Sequence, residues 1–459
     1  MRRRKADLQR RVNGPLHIEF SARGLTSFAG LELLIRYLRQ IGFNRRLGKH
    51  LGAFHLPTDF GIIALIRLLL VLLILGGRRV RHLQFLGGDP LVHRFCGLRQ
   101  MPTARTVGRW MAQFRMRAVH ALADFNATLV ADSITSLPLR TLTIDVDGSV
   151  ISTGLTTERA FRGYNPHHRK VPSYFPILAH LGDTGHILRV QNRSGNVHDG
   201  ASSITFLRDV FSQVDATLGG GYRLNFRMDG AFFAQKVIRL LNAQQAGFAI
   251  KVPFWRWLPL REYIKQRKRW QRVAEDVDGF DLLLDVDPWE MKLRVAIYRK
   301  RVFHRTRKNY QLDLFDPDDG TYEYSAVATN LEYSVPELWH FMCGRGAQEK
   351  AIAELKSGFA FDTIPTARYA ANSAWQQLSV LAYNLIRSFQ MTTGATLRGR
   401  NRKRTPRPII RSIQTLRFEV LHRAGQVLRP AGRTTLRLAN HPATRALIEK
   451  ALYAFDNAA

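Results

Sequence analysis

Apolar residues recur every three to four positions from about residue 24 to residue 136, which is the spacing of side chains on one face of a helix. The most apolar run, Gly61–Gly77, contains Arg67 and is shorter than the ~20 residues that a membrane-spanning helix needs. The pattern therefore predicts an N-terminal helical region built around a buried core helix that ends at Gly76.

From about Leu139 onward, apolar positions alternate with polar ones, as in a strand with one buried face. In the stretch Thr141–Ser149 the polar face carries Asp145 and Asp147, and Gly148 ends the strand. Two carboxylates at the end of a buried strand are costly without a partner, and a divalent cation with oxygen ligands is the usual partner. A strand end with solvated acids explains this stretch alone equally well.

A second strand ends in the same way. Leu224, Phe226 and Met228 form its apolar face, and Asp229 follows before a glycine. In an α/β sheet, ligands and metals bind at such strand ends. After the first acidic strand, the pattern predicts strand 173–181 and strand 186–192, which continue it as an antiparallel meander. The predicted elements that follow are helix 200–218, strand 224–230, helix 231–246 and strand 248–252.

Residues 253–332 are strand-like, basic and rich in aromatic residues, which indicates an inserted β region. Aromatic side chains among lysines and arginines can stack on unpaired bases, although packing in a core is the commoner role of any single one. The aromatic residues of this region include Trp255, Trp257, Tyr263, Trp270, Trp289, Tyr298 and Tyr310.

A helix predicted over 336–361 carries the third candidate acid. Glu349 lies one turn after Arg345 and two turns before Lys356, so the three share a face within ~40°. Glu354 falls roughly 140° from Glu349 on the same wheel and is expected in solvent. A surface charge ladder worth a few tenths of a kcal/mol is the simpler explanation of this face. A further long amphipathic helix is predicted over 365–390.

Charge narrows the class of partner. The 459 residues, enough for about three domains, include 69 lysines and arginines against 36 acids, a net charge of +33. Such a surplus attracts polyanions, nucleic acid first and an anionic membrane surface second, but no basic amphipathic anchor helix is apparent. Cys96 and Cys343 form no disulfide framework, which fits a reducing cytoplasm, and the N-terminus lacks the apolar stretch of a secretion signal.

Three basic stretches are candidate DNA contacts. The short helix predicted after Thr103 carries Arg105 and Arg109 and would suit the second helix of a helix-turn-helix, although a solvated helix is equally consistent. The loop 163–170 is turn-rich and basic, and its adjacent histidines, His167 and His168, make a poor metal pair. The linker 397–408 includes Arg402, Lys403 and Arg404 and can follow DNA phosphates. The last ~50 residues are expected to form a small helical tail that packs back on the body.

Asp147, Asp229 and Glu349 form an ordered set of strand, strand and helix, with a β insertion before the glutamate. This arrangement resembles the ribonuclease-H-like DDE transposases. It is most similar to cut-and-paste insertion-sequence transposases whose third acid lies in a Tyr-x2-Arg-x3-Glu-x6-Lys signature. Arg345, Glu349 and Lys356 match that signature, and Met342 replaces the tyrosine that in such families is associated with the cleaved DNA end.

Two further segments resemble the subgroup called transposase DDE domain group 1: the stretch 227–233, which contains Asp229, and the loop that begins at Gly163. The resemblance covers residues from about 24 to 390. It implies an α/β fold with a ribonuclease-H-like core, a β-rich insertion and an N-terminal α-helical domain. The implied divisions are 1–136 (DNA-end binding), 137–252 (core, first part), 253–332 (insertion), 333–395 (core, second part) and 396–459 (basic linker and tail).

The resemblance also implies the chemistry. Asp147, Asp229 and Glu349 would hold two Mg²⁺ ions ~4 Å apart, with Mn²⁺ as a substitute, to activate water and stabilise the leaving oxygen. Asp147 would bridge both ions, and Asp145 is the alternative or an auxiliary ligand. Arg345 and Lys356 would grip phosphates near the cut end. The freed 3′-hydroxyl would then attack target DNA, without a covalent enzyme intermediate.

The implied partners are transposon-end DNA and target DNA, bound by a homodimer on paired ends in the bacterial cytoplasm or nucleoid, with no membrane involved. Such families often form a hairpin at the transposon end and flip a base onto a tryptophan of the insertion, for which Trp255, Trp257, Trp270 and Trp289 are candidates. A DNA-binding protein that has lost catalysis and a nuclease on the same fold are the alternative functions.

Overall fold

The chain folds into a mixed α/β structure with one large sheet. The computed structural model describes residues 16–19, 23–163, 165, 170–301, 322–394 and 410–457. The helices are α1 (Leu31–Gln40), α2 (Phe43–Leu51), α3 (Ile62–Ile74), α4 (Pro90–Cys96), α5 (Ala104–Met111), α6 (Met116–Thr135), α7 (Asp199–Leu218), α8 (Gln235–Ala243), α9 (Leu260–Gln266), α10 (Val335–Cys343), α11 (Gly346–Phe359), α12 (Tyr369–Thr392), α13 (Ile413–Leu416) and α14 (Pro442–Asp456).

Most strands belong to a nine-stranded sheet. The strands are β1 (Leu25–Thr26), β2 (Thr141–Gly148), β3 (Ile151–Ser152), β4 (Ser173–Tyr174), β5 (Ile177–Leu181), β6 (Ile187–Gln191), β7 (Arg223–Met228), β8 (Gly247–Val252), β9 (Gln271–Ala274), β10 (Val277–Val286), β11 (Met291–Arg301), β12 (Tyr322–Thr329), β13 (Gly425–Leu428) and β14 (Thr435–Leu438). The large sheet has the order β6-β5-β2-β7-β8-β12-β11-β10-β9.

The first half of the large sheet follows the predicted pattern. β2, β5 and β6 form the expected antiparallel meander, and β7 and β8 then run parallel to β2. The meander is confirmed, although the predicted strand 173–181 is split into β4 and β5. Because β2 and β7 are parallel neighbours, the residues that follow them emerge at the same edge of the sheet.

The strands of region 253–332 extend this same sheet. β12 pairs antiparallel with β8, and β11, β10 and β9 continue outward from it. The region also contains α9, a two-turn helix within the stretch predicted as strands. The aromatic and basic residues of this region are thereby connected to the central strands by continuous backbone pairing.

The buried helix predicted over 61–77 is confirmed as α3. Nine of its thirteen residues are buried, and Gly76 and Gly77 follow its end. Arg67 is accommodated because its guanidinium lies over the ring of Phe95 at 5.1 Å and donates to Asn44 Oδ1 at 3.4 Å. Among the described residues, no helix combines the length and apolar character needed to cross a bilayer.

The helix predicted as amphipathic over 365–390 is instead buried on nearly all sides as α12, with 20 of its 24 residues inaccessible. Its polar residues bond to the edge of β6 that has no neighbouring strand in the large sheet. Asn384 donates to the carbonyl of Ile187 at 2.8 Å and accepts from its amide at 2.9 Å, and Gln377 donates to Val190 at 2.9 Å. The polar side chains of α12 therefore satisfy the backbone groups of an edge strand. The helical period marks these positions as polar but does not show whether they face solvent or another part of the backbone.

The C-terminal tail packs back on the body as predicted, but it is not only helical. β13 pairs with both β14 and the N-terminal strand β1, so the two ends of the described chain share a small antiparallel sheet. α14 packs nearby, with Phe455 against Phe389 of α12 at 6.3 Å between ring centroids. The four-residue strands were missed because such short segments give little period-two signal.

Candidate active site at the ends of the central strands

The ends of β2 and β7 bring two of the predicted acids to one edge of the sheet. Val146 pairs with Met228 in the parallel register of these strands. Asp147 and Asp229 each follow one residue later. Asp229 accepts a hydrogen bond from the amide of Ala231 at 3.0 Å, which fixes its carboxylate at the start of a short 3-10 turn.

The electrostatic environment of Asp147 disfavours its ionised form. Its pKa is raised to about 7; burial is the largest cause, and the charges of Asp229 and Asp199 act in the same direction. The Arg345 guanidinium opposes them. A pKa raised in this way means that the protein does not fully compensate the charge of Asp147. Oxygen donors in such a setting suit a divalent cation.

Asp199 is an acid of this site that the sequence pattern missed. It begins α7, where the helix had been predicted to start at Gly200, and it accepts a hydrogen bond from Nη2 of Arg193 at 2.6 Å. Burial raises the pKa of Asp199, against the effect of Arg193. Its position in the first turn of the helix after the meander is the signal that could have identified it.

The two basic side chains of the predicted face, Arg345 just before α11 and Lys356 within it, both reach the end of β2. Arg345 donates from Nη2 to Oδ2 of Asp147 at 2.8 Å. Lys356 donates from Nζ to the carbonyl of Val150 at 3.2 Å, and burial lowers its pKa while the charges of Asp362 and Asp147 raise it. Arg345 and Lys356 therefore hold α11 against the strand that carries the first acid.

Glu349 lies on the same helix but is exposed. It opens onto a groove of about 400 Å³ that Arg345, Met342 and Lys300 also line. Within the described parts of the chain, no three His, Cys, Asp or Glu side chains lie close enough to hold a metal ion together. The structure thus brings Asp147 and Asp229 together and leaves Glu349 outside their immediate group.

Asp145 is fully buried and already has partners. Its carboxylate accepts from Nε and Nη2 of Arg227 at 2.5 and 2.8 Å, and Nδ1 of His180 lies 3.1 Å from Oδ2. Arg227 and His180 are its register partners on the two neighbouring strands. Solvated acids at this strand end are therefore ruled out for Asp145, whose oxygens are taken by the protein itself.

The far end of α11 is fixed by other parts of the chain. Arg417 donates to the carbonyls of Ile74 at 2.7 Å and Gly358 at 2.6 Å, joining the ends of α3 and α11. Glu354 accepts from the amide of Ile413 at 2.6 Å. The expectation of a solvated Glu354 is therefore wrong, because the C-terminal segment folds over this face of the helix.

The basic residues proposed for DNA contact are only partly described. Thr103 caps α5 by accepting from the amide of Thr106 at 3.1 Å, as predicted, and Arg105 and Arg109 are exposed on this helix while Trp110 is buried. The described residues do not include Arg402, Lys403 and Arg404, nor His167 and His168.

The tryptophans differ in accessibility. Trp255 and Trp257 are 38% and 46% exposed and stack on each other at 5.4 Å with an interplanar angle of 28°. Phe233, four residues after Asp229, contacts Trp255 at 5.6 Å and Trp289 at 4.8 Å. The exposed aromatic pair thus lies beside the segment that carries Asp229.

The raised pKa of Asp147 predicts an unusual pH dependence of stability. The folded protein keeps a proton that the unfolded chain, with a pKa of 3.8, releases, so stability falls as pH rises from about 4 to about 7. Asp147→Asn removes this contribution. In EDTA, urea unfolding is expected to give an Asp147→Asn minus wild-type difference that grows by at most ~4 kcal/mol across this range. A constant difference would contradict the assigned environment.

Comparisons with known proteins give one family. A family model described as transposase DDE domain group 1 matches residues 9–459. No curated protein matches the chain. Among solved structures, the chain resembles a cryo-EM structure of a piggyBac transposase synaptic complex with hairpin DNA, with a TM-score of 0.43 and 10% identity, covering 88% of this chain and 76% of that one.

Proposed function

Because this chain belongs to the transposase DDE domain group 1 family, we propose that it is an insertion-sequence transposase that works by cut-and-paste transfer. It cleaves phosphodiester bonds at transposon ends and joins the freed 3′-hydroxyl to target DNA. The observation that carries this proposal is the position of Asp147 near the end of β2 and of Asp229 directly after the parallel neighbour β7, with Arg345, just before the Glu349 helix, bonded to Asp147.

The proposed core is ribonuclease-H-like. Its support is the order β6-β5-β2-β7-β8, in which an antiparallel meander of three strands is followed by two strands parallel to the first. The proposed divisions of the chain are a DNA-end-binding helical domain (1–136), the core in two parts (137–252 and 333–395), an insertion that extends the core sheet (253–332) and a basic linker with a tail (396–459).

Mg²⁺ is the cation that we propose for this site. The residues fit it, because Asp147 and Asp229 offer neighbouring carboxylate oxygens and the protein leaves the charge of Asp147 incompletely compensated. Asp147 and Asp229 would hold the ions, with Glu349 as the third ligand. Two such ions would supply an activated water and would stabilise the leaving oxygen, and Mn²⁺ is expected to substitute.

The protein's own residues then bind and orient the DNA. Arg345, which donates to Asp147 at the end of β2, would pair with a phosphate next to the cut bond. Lys356 adds a second positive charge at the same strand end. Binding of DNA across α11 and β2 would draw Glu349 from its exposed position to the two aspartates, which completes the set of three acids.

The wider DNA surface follows from the charge of +33. We propose that exposed Arg105 and Arg109 on α5 contact transposon-end DNA and that the linker with Arg402, Lys403 and Arg404 follows phosphates. A homodimer would hold two ends together, since cut-and-paste transfer requires paired ends. Cytoplasmic and nucleoid-associated action in a bacterium is part of the same proposal.

A flipped base at the transposon end would stack on Trp255 and Trp257, which are exposed, rather than on Trp270, which packs against Phe280 and Arg299. Replacing both Trp255 and Trp257 by alanine is expected to weaken binding of ends with an unpaired terminal base by about tenfold, with duplex binding unchanged. The measurement is fluorescence of 2-aminopurine at the terminal position. Trp270→Phe serves as the control, and equal losses in both proteins would contradict the assignment.

Cleavage of the element's own ends tests the function. Purified protein is incubated with DNA carrying the sequences that flank its gene, in Mg²⁺ or in EDTA, and products are mapped for 3′-hydroxyl ends. We expect cuts at the element ends in Mg²⁺ only, and none on DNA with scrambled ends. Tight, salt-sensitive binding without any cleavage in Mg²⁺ or Mn²⁺ would instead support a DNA-binding protein that has lost catalysis.

A further inference from the structure

We infer that Arg227 and Asp145 are a positioning pair that sets where the helix of Glu349 begins relative to Asp147. The inference rests on the proposed function, because it assigns a role in catalysis to residues that do not themselves touch the reacting groups. It is carried by contacts of one buried guanidinium with the neighbouring strand β2 and with the end of helix α10.

The first contact fixes the guanidinium on the sheet. Arg227 is 3% exposed, and the Asp145 carboxylate accepts hydrogen bonds from Nε and Nη2 of Arg227 in a bidentate pair. A bidentate pair fixes the plane of the guanidinium as well as its position, which a lysine cannot reproduce. His180 on β5 completes the surroundings of Asp145, and burial lowers the pKa of this histidine against the effect of Asp145.

The second contact joins this plane to the helical segment. Nη1 of Arg227 donates to the carbonyl of Phe341 at 2.7 Å, and the guanidinium lies 5.1 Å from the centre of the Phe341 ring. Phe341 is in the last turn of α10, four residues before Arg345. Arg227 therefore anchors the junction between α10 and α11 to the strand that carries Asp229.

The junction also fits closely against the guanidinium. At Gly344, between the two helices, a Cβ atom would lie 2.2 Å from Nη1 of Arg227. Gln348, 0% exposed on the first turn of α11, donates to the backbone carbonyl of Asp145 at 3.1 Å. The sheet thus contacts the junction on both sides of Arg345, which itself bonds to Asp147.

The consequence concerns geometry at the reacting centre. The two aspartates of β2 have different roles: Asp147 bonds to Arg345, and Asp145 holds Arg227 in place. A buried ion pair of this kind contributes little net stability compared with apolar packing, so fixing one arrangement is a reason for its presence. Displacement of the junction by about 1 Å would move Arg345 away from Asp147 and shift the start of the helix from which Glu349 must reach the aspartates, at a cost on the order of 10²-fold in rate.

Two variants disturb this contact from opposite sides. Arg227→Lys keeps the buried charge but loses the bidentate pair, and Gly344→Ala keeps Asp145 and Arg227 while pushing on Nη1. Gly346→Ala is the matched control, because a Cβ at Gly346 meets no atom within 4 Å. All three are compared with wild type by hydrogen exchange of backbone amides and by single-turnover cleavage of pre-bound end DNA.

We expect both junction variants to exchange amides of residues 341–349 about tenfold faster, with the central strands unaffected. The cleavage rate should fall on the order of 10²-fold with unchanged affinity for end DNA, and Gly346→Ala should match wild type. Exchange that rises evenly through the sheet, or normal cleavage in Gly344→Ala, would overturn the inference. If wild type itself does not cleave, the proposed function fails, whereas the exchange pattern still decides whether Arg227 anchors the junction.

Discussion

The substitution Asp147→Asn is expected to lower metal-dependent cleavage of transposon-end DNA by roughly 10³-fold or more, which corresponds to ~4 kcal/mol of lost transition-state stabilisation. The physical reason is that Asp147 is a proposed cation ligand, and a neutral amide holds a divalent cation poorly. Quenched-flow or gel assays of single-turnover cleavage in Mg²⁺ provide the measurement, with binding of end DNA measured in parallel.

The same substitution should leave the fold intact. At pH 8 the ionised Asp147 carboxylate is disfavoured in the folded state, because its pKa there is raised by burial and by Asp229 and Asp199. Asp147→Asn removes that charge, so the free energy of unfolding in EDTA should not fall. A protein that gains or keeps stability while losing cleavage separates the role of this acid in catalysis from any role in folding.

Asp145→Asn is the matched control on the same strand. It leaves the Arg227 guanidinium buried without a full counter-charge, which typically costs ~3–5 kcal/mol. We therefore expect Asp145→Asn to be destabilised and Asp147→Asn not to be. The reverse order of stabilities, or full cleavage by Asp147→Asn, would contradict the assignment of the two aspartates.

The second large effect is expected for Glu349 of α11, with Glu354 on the same helix as the control. Glu349→Gln should lower single-turnover cleavage by at least about 10²-fold, because it replaces the third proposed cation ligand. Glu354→Gln should cleave within about twofold of wild type, since a glutamine oxygen can still accept the hydrogen bond from the amide of Ile413. Both variants keep the length and helix propensity of the side chain.

Comparison of these two variants identifies the working acid of the helix. The apparent affinity for Mn²⁺, measured from its electron paramagnetic resonance signal in the presence of end DNA, should fall for Glu349→Gln alone. Equal cleavage by both variants would place the third acid elsewhere in the chain. Loss of cleavage only in Glu354→Gln would exchange the roles of the two residues.

Much of the fold was accessible from local pattern. Alternation from Leu142 to Asp147 predicted β2, the same alternation before Asp229 predicted β7, and the unbroken apolar run predicted α3. The spacing of Arg345 and Lys356 predicted a shared face, and both side chains reach the end of β2. Each of these features depends on residues within a few turns or one strand, so periodicity carries the information.

The sequence by itself determined the family, the order of the candidate acids and the alternation that sets Asp145 and Asp147 on the polar face of β2. It did not distinguish these two aspartates. Only the tertiary structure shows that Asp145 is the register partner of Arg227 and His180, whereas Asp147 forms an ion pair with Arg345.

The tertiary structure also decided what covers each polar face. The sequence pattern predicts that Glu354 and the polar residues of α12 face solvent. Their hydrogen-bond partners are instead the C-terminal segment and the edge of β6. The pairing of β1 with β13 and the extension of the sheet by β9 to β12 were likewise decided only by the tertiary structure. Periodicity indicates which side of an element is polar, but the partner on that side lies far away in the sequence, 59 residues for Glu354 with Ile413 and 197 for Asn384 with Ile187, which no local pattern encodes.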